Sequence, residues 1–115
     1  MDFKLLTLSK QLSFDIFLFS RNFPKNSVIL KNTLQQSLFK SVECLHYYIV
    51  NATHSKIKEK YLKDFIVNLS MIDFYLESAY KEKIISFQKY NSYVKQIIVI
   101  RKMGYGLLRN EEIEN

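Results

Sequence analysis

The stretch Tyr61-Leu62-Lys63-Asp64-Phe65-Ile66-Val67-Asn68-Leu69-Ser70-Met71-Ile72-Asp73-Phe74-Tyr75-Leu76-Glu77-Ser78-Ala79 carries the most regular apolar repeat of this 115-residue chain. Leu62, Phe65, Leu69, Ile72, Leu76 and Ala79 recur at alternating intervals of three and four. An α-helix turns once every ~3.6 residues, so this spacing lines one helical face, whereas a strand would alternate every second residue. The same alternation suits helices packed nearly parallel at shallow crossing angles. The helix predicted here, the third in the chain, runs from about Lys56 to Ile85.

The flanking sequence repeats the pattern. A first helix is predicted from about Phe3 to Arg21, with Leu5, Leu8, Leu12, Ile16 and Phe19 on its apolar stripe. It stops at Asn22-Phe23-Pro24, because proline disfavours helical geometry in the residue before it. Asn26 or Ser27 can cap a second helix, which runs to about Ala52 with Leu34, Leu38, Val42, Leu45, Ile49 and Ala52 on its stripe. Thr53-His54-Ser55 offers the cap of the third helix and Ser86 that of the fourth, which is expected to end near Gly104 and Gly106. Only two Gly and one Pro are present, too few for a turn-rich sheet protein. Connections of a few residues force neighbouring helices to run antiparallel. The expected fold is all-α, an antiparallel up-down-up-down four-helix bundle in one domain over residues 1–109. An acidic flexible tail, 110–115, carries Glu111, Glu112 and Glu114.

Helices 3 and 4 carry apolar residues on more than one face. At about 100° per residue, Tyr90, Val94, Ile97 and Ile98 form one stripe of helix 4, and Val99 and Met103 point to nearly the opposite side. Val67, Met71 and Phe74 likewise stand away from part of the helix 3 stripe. A helix wet on its outer face should not carry them. Loops or the N-terminal segment would cover these positions, or a second subunit would. The second reading is preferred, so Val67, Met71, Phe74, Val99 and Met103 are the expected interface of a homo-oligomer.

Catalysis has little to rest on. His46 and His54 lack metal-ligand spacing, Asp64 and Asp73 lack the Glu-x-x-His pairs of di-iron bundles, and Gly104-Tyr105-Gly106 has no following Gly-Lys-Ser/Thr. Asp73 lies beside the core stripe, where it is expected to be partly buried and paired with Lys or Arg. The single Cys44 reads as a buried thiol. No enzyme activity, cofactor or metal is expected. With no secretion signal and no membrane-spanning run recognisable, the expectation is a soluble cytoplasmic protein.

Charge is more informative. The net charge is +6, and between Lys83 and Arg109 six basic residues (Lys83, Lys89, Lys95, Arg101, Lys102, Arg109) occur with no Asp or Glu. Lys95, Lys102 and Arg109 are each seven apart, so they share one stripe, with Lys89 and Arg101 nearby. Such a stripe either meets phosphates or is an ordinary solvated face. Lys56, Lys58, Lys60 and Lys63 are interrupted by Glu59 and Asp64 and read as a solvated face with intrahelical pairs.

Phe23-Pro24-Lys25 at the end of helix 1, Leu62, Asp64 and Leu69-x-x-Ile72-Asp73 in helix 3, Tyr90, and Ile100-Arg101-Lys102-Met103-Gly104-Tyr105-Gly106-Leu107-Leu108 occur in that order. This ordering, over roughly Leu5 to Leu108, resembles a bacterial four-helix-bundle family. That family includes the accessory variability determinant of diversity-generating retroelements and proteins encoded by intervening sequences in 23S ribosomal RNA genes. The ribosomal branch tends to carry Asn-x-x-Glu-Gly near the end of helix 2. Ile49-Val50-Asn51-Ala52-Thr53 lacks the Glu-Gly, so the resemblance points to the retroelement branch, although Tyr105 stands where members often have tryptophan. The resemblance implies a homopentamer with a positively charged surface that binds RNA or DNA and associates with a reverse transcriptase. Of the basic residues, Lys25, Arg101 and Lys102 occupy motif-matched positions. The functional expectation is therefore a non-catalytic nucleic-acid-binding accessory protein using Lys25, Lys89, Lys95, Arg101, Lys102 and Arg109. The alternative is a structural or protein-interaction bundle with no nucleic-acid role.

Overall fold

A computed structural model describes residues 3–51 and 53–114, with side chains at 4–51 and 53–113. Four α-helices follow one another: α1 (Phe3–Ser20), α2 (Val28–Val50), α3 (Ser55–Lys81) and α4 (Phe87–Glu114), with a 3-10 turn at Lys25–Ser27 before α2. No strand occurs among the described residues. Ala52, the last member expected of the second stripe, lies outside them, as do positions 1, 2 and 115 of the expected domain and tail.

The side-chain pairs fix the topology. Near the first turn the Gln35 amide donates to Ser20 Oγ at 2.8 Å, and farther along the Phe17 and Phe39 rings lie 5.2 Å apart. The partners move apart in sequence as they leave the turn, so α1 and α2 are antiparallel. Asp73 meets Tyr90 near one end of α3 and Lys58 meets Glu111 near the other, which makes α3 and α4 antiparallel too. Tyr47 stacks on Tyr61 across α2 and α3 at 4.9 Å, and Phe19 packs on Tyr93 across α1 and α4 at 5.9 Å. Each helix thus touches two neighbours in a closed square, 46 Å long and 21 by 19 Å across.

The expected core of α3 is met at every position: Leu62, Phe65, Leu69, Ile72, Leu76 and Ala79 are all buried, joined by Ile66. Leu5, Leu12 and Ile16 of α1 and Leu34, Leu38 and Leu45 of α2 face them, with Leu8, Phe19, Val42 and Ile49 half-buried on the flanks. On α4 the inward stripe is Tyr93, Ile97, Ile100, Gly104 and Leu108. This corrects the expected stripe, because Ile98 is exposed and Tyr90 and Val94 are half-buried.

Helix ends follow local chemistry, with three corrections. Ser86 caps α4 as expected, its Oγ accepting the Lys89 N–H at 3.1 Å. Ser27 and His54 occupy the N-cap positions of α2 and α3, but neither side chain makes a capping bond. The expected stop at Gly104 and Gly106 does not occur. Neither glycine has a positive φ, and α4 continues to Glu114. The left-handed C-cap is instead at Lys83, φ 61°, where α3 ends. There the Ile84 N–H donates to Ala79 O at 2.8 Å and the Lys83 N–H to Tyr80 O at 2.9 Å, closing the helix in a Schellman motif. The expected tail is the third correction. Residues 110–114 are the last turn of α4, and Glu111 is buried because Lys58 binds it at 2.8 Å.

Candidate nucleic-acid interface

Ser86 fixes the start of α4 and the inward stripe fixes its rotation, so the remaining faces follow. Lys95, Lys102 and Arg109 all lie on the outer side of α4 and are exposed. At ~1.5 Å rise per residue they span roughly 21 Å along the helix axis. None of the three makes an ion pair among the described residues. Arg101 is half-buried, also without an ion pair among the described residues. Lys89 is held differently: its ammonium sits 4.9 Å from the Phe19 ring centre and 5.2 Å from that of Tyr93. Lys25 is separate from the α4 set. It lies in the 3-10 turn, beside the α3–α4 turn with its Lys83, at the end of the bundle remote from Arg109.

The basic run of α3 behaves as a solvated face at Lys63, which pairs with Glu59 at 2.9 Å. Lys58 does not. It crosses to Glu111, its side chain and that of Glu111 only 17% and 6% exposed, with its ammonium 5.2 Å from the Tyr48 ring centre. This interhelical pair joins residues 53 apart, and no local spacing announces it. Glu111 Oε2 has no hydrogen-bond partner among the described residues. Asp73 is half-buried as expected, but its partner is not a cation: the Tyr90 hydroxyl donates to it at 3.2 Å.

Of the expected interface, Val67, Met71 and Phe74 form a contiguous outward patch on α3, 59%, 37% and 55% exposed. Val99 is exposed on the opposite flank of α4, toward α1. Met103, by contrast, is half-buried and packed against the core, so it is not part of an outward face. A second apolar face was not expected. Phe14, Phe39 and Val50 are exposed along α1 and α2, over two adjoining grooves of about 470 Å³ each that share Phe39 and Val42. Phe39 falls five residues after Leu34, off the core stripe, and that offset is the signal which finds it.

Between α1 and α4 runs a groove of about 330 Å³, lined by Leu8, Gln11, Asp15, Lys95, Gln96, Val99 and Ile100. Burial is the leading perturbation of Cys44, Tyr90 and Tyr93. Burial raises the Cys44 thiol and pushes the Tyr93 phenol up to about 12, with Asp15 adding to the latter. Tyr90 rises to about 12 through burial first, then through the negative charge and hydrogen bond of Asp73. His46 and His54 are both exposed. No group of three or more His, Cys, Asp or Glu able to hold a metal ion occurs among the described residues, and no helix there is long and apolar enough to cross a membrane. Comparison with known proteins finds no matching family model, no similar curated protein and no similar solved structure.

Proposed function

We propose that this chain is a non-catalytic cytoplasmic accessory protein that binds nucleic acid through the outer ridge of α4, in an oligomeric bundle. The observation that carries the reading is the ridge itself: Lys95, Lys102 and Arg109 exposed in register on one helix, none with an anionic partner among the described residues. Long cations at regular intervals each meet a phosphate, and release of condensed counterions drives the association. Phosphate contacts on a helix face position a duplex but do not read its bases, so duplex recognition is sequence-tolerant. The exposed patch of Val67, Met71 and Phe74 supports self-association, which repeats the ridge around a symmetry axis and multiplies its field. By the resemblance, the assembly is a pentamer and its protein partner a retroelement reverse transcriptase.

Binding to a mixed-sequence duplex tests this. We expect complex formation at about 50 mM salt and its loss by about 300 mM. The triple variant Lys95→Glu/Arg101→Glu/Lys102→Glu should abolish it with helix content unchanged. No binding at low salt refutes the nucleic-acid role. The second reading, a protein-interaction bundle, draws on the exposed Phe14, Phe39 and Val50 face. It requires the triple variant to keep its partner association intact.

A further inference from the structure

The groove between α1 and α4 differs from the other surface features in combining an apolar floor, polar side chains with free hydrogen-bonding capacity and one cation of the ridge. Leu8 and Ile100 form the floor, half-buried and buried respectively, and Val99 forms one wall. Gln11 and Asp15 project from α1 on one side, Lys95 and Gln96 from α4 on the other. The Gln96 amide nitrogen donates to Ser92 O at 3.3 Å, which leaves its carbonyl oxygen available. Asp15 and Lys95 both line the groove yet form no ion pair among the described residues. The volume of about 330 Å³ is in the range of sites for small flat ligands.

We propose that this groove holds an unpaired guanine base of a single-stranded nucleic acid, with Lys95 on the adjoining phosphate. The inference rests on the reading of the α4 ridge as phosphate-binding and adds which part of a strand it selects. A base whose two faces are apolar fits between Leu8, Ile100 and Val99, and its edge meets the polar rim. Asp15 offers acceptors only, so the edge it faces must present donors. Guanine alone among the common bases places two adjacent donors, N1–H and the N2 amino group, on its Watson–Crick edge. Adenine and cytosine each offer one amino group beside an unprotonated ring nitrogen, which a carboxylate opposes. Uracil and thymine offer one N–H between two carbonyls, which a carboxylate also opposes. The Gln11 amide can donate to guanine O6. In a duplex this edge is already paired, so the preference belongs to single strands.

The test compares fluorescence-anisotropy affinities at about 50 mM salt for dodecamers of uridylate with and without one central guanosine, and for the matching thymidylate strands. The ribo and deoxy arms tell RNA from DNA. The guanine-containing strand should bind at least about fivefold tighter, the discrimination expected of one bidentate base contact. Asp15→Asn should bring that ratio to near one without weakening the uridylate strand, since it removes a negative charge. Asp15 is exposed, so this variant keeps the fold. Val99→Phe, which fills the groove from its exposed wall, should also abolish the ratio. Equal affinity for strands with and without guanine, or a preference that survives Asp15→Asn, overturns the pocket and leaves the ridge in place. Absence of binding to any single strand while a duplex still binds overturns the pocket alone; absence of binding to single strands and duplex overturns both.

Discussion

Lys83 holds φ at 61° to close α3, a conformation that costs an L-residue with a Cβ about 1 kcal/mol and costs glycine little. Lys83→Gly is therefore expected to stabilise the bundle by about 0.5–1 kcal/mol, read from the midpoint of chemical unfolding. Lys58 and Glu111 make the opposite case. Truncating Lys58 to Met leaves a buried carboxylate, already short of one hydrogen bond, with no countercharge. We expect a loss of about 2–4 kcal/mol, largely recovered when Glu111→Leu is added, because a buried pair replaced by apolar groups is near neutral. The tyrosines supply a pH signature. Tyr90 and Tyr93 ionise near pH 12 in the folded chain against an ordinary value of 10. Between these values the unfolded chain loses phenolic protons that the folded chain keeps, so stability falls as pH rises from 10 toward 12 and is unaffected below 10. The variant Tyr90→Phe/Tyr93→Phe should flatten this decline, and phenolate absorbance should show two tyrosines ionising last.

At the scale of the helix, α4 carries the sharpest test. Gly104 and Gly106 sit inside a continuous helix with negative φ, where glycine costs about 1 kcal/mol relative to alanine. A Cβ at Gly106 meets nothing within 4 Å, so Gly106→Ala should stabilise by about that amount. A Cβ at Gly104 meets Phe65 and Ile66 at 3.5 Å, ordinary contact, so Gly104→Ala should stabilise as well, by no more. Destabilisation by Gly106→Ala would contradict the continuous helix. The same residues show how far the sequence reaches. The α3 core is legible because its apolar positions keep one period over about five turns and face the bundle interior between α2 and α4. The end of α4 is not legible from composition. Glycine signals a stop by default, and what overrides it is tertiary: Gly104 and Leu108 continue the buried stripe of α4, and Lys58 holds Glu111. The α4 stripe is offset for a related reason. Isoleucine and valine occupy several faces of this helix, so periodicity alone does not select the inward one. The ridge of Lys95, Lys102 and Arg109 is legible, since seven residues return to nearly the same face. The α1–α4 groove is not, because its walls come from residues eighty or more apart that only packing brings together.

At the scale of the molecule, the apolar patch on α3 and the apolar face of α1 and α2 lie on different sides of the bundle. Two different faces on one protomer suit a head-to-tail contact that closes into a ring better than a two-fold dimer. Light scattering should give a mass several times 13.8 kDa, and Val67→Lys/Phe74→Glu, on exposed positions, should yield a folded monomer. A wild-type monomer would remove self-association and leave a single ridge to do the binding. The most direct measurement is the salt dependence of duplex affinity. Each phosphate neutralised contributes about 0.9 to the slope of log affinity against log salt. The variant Lys95→Gln/Lys102→Gln/Arg109→Gln should lower the slope by roughly 2.7 per protomer engaged; a slope equal to that of the wild type would contradict phosphate binding by α4.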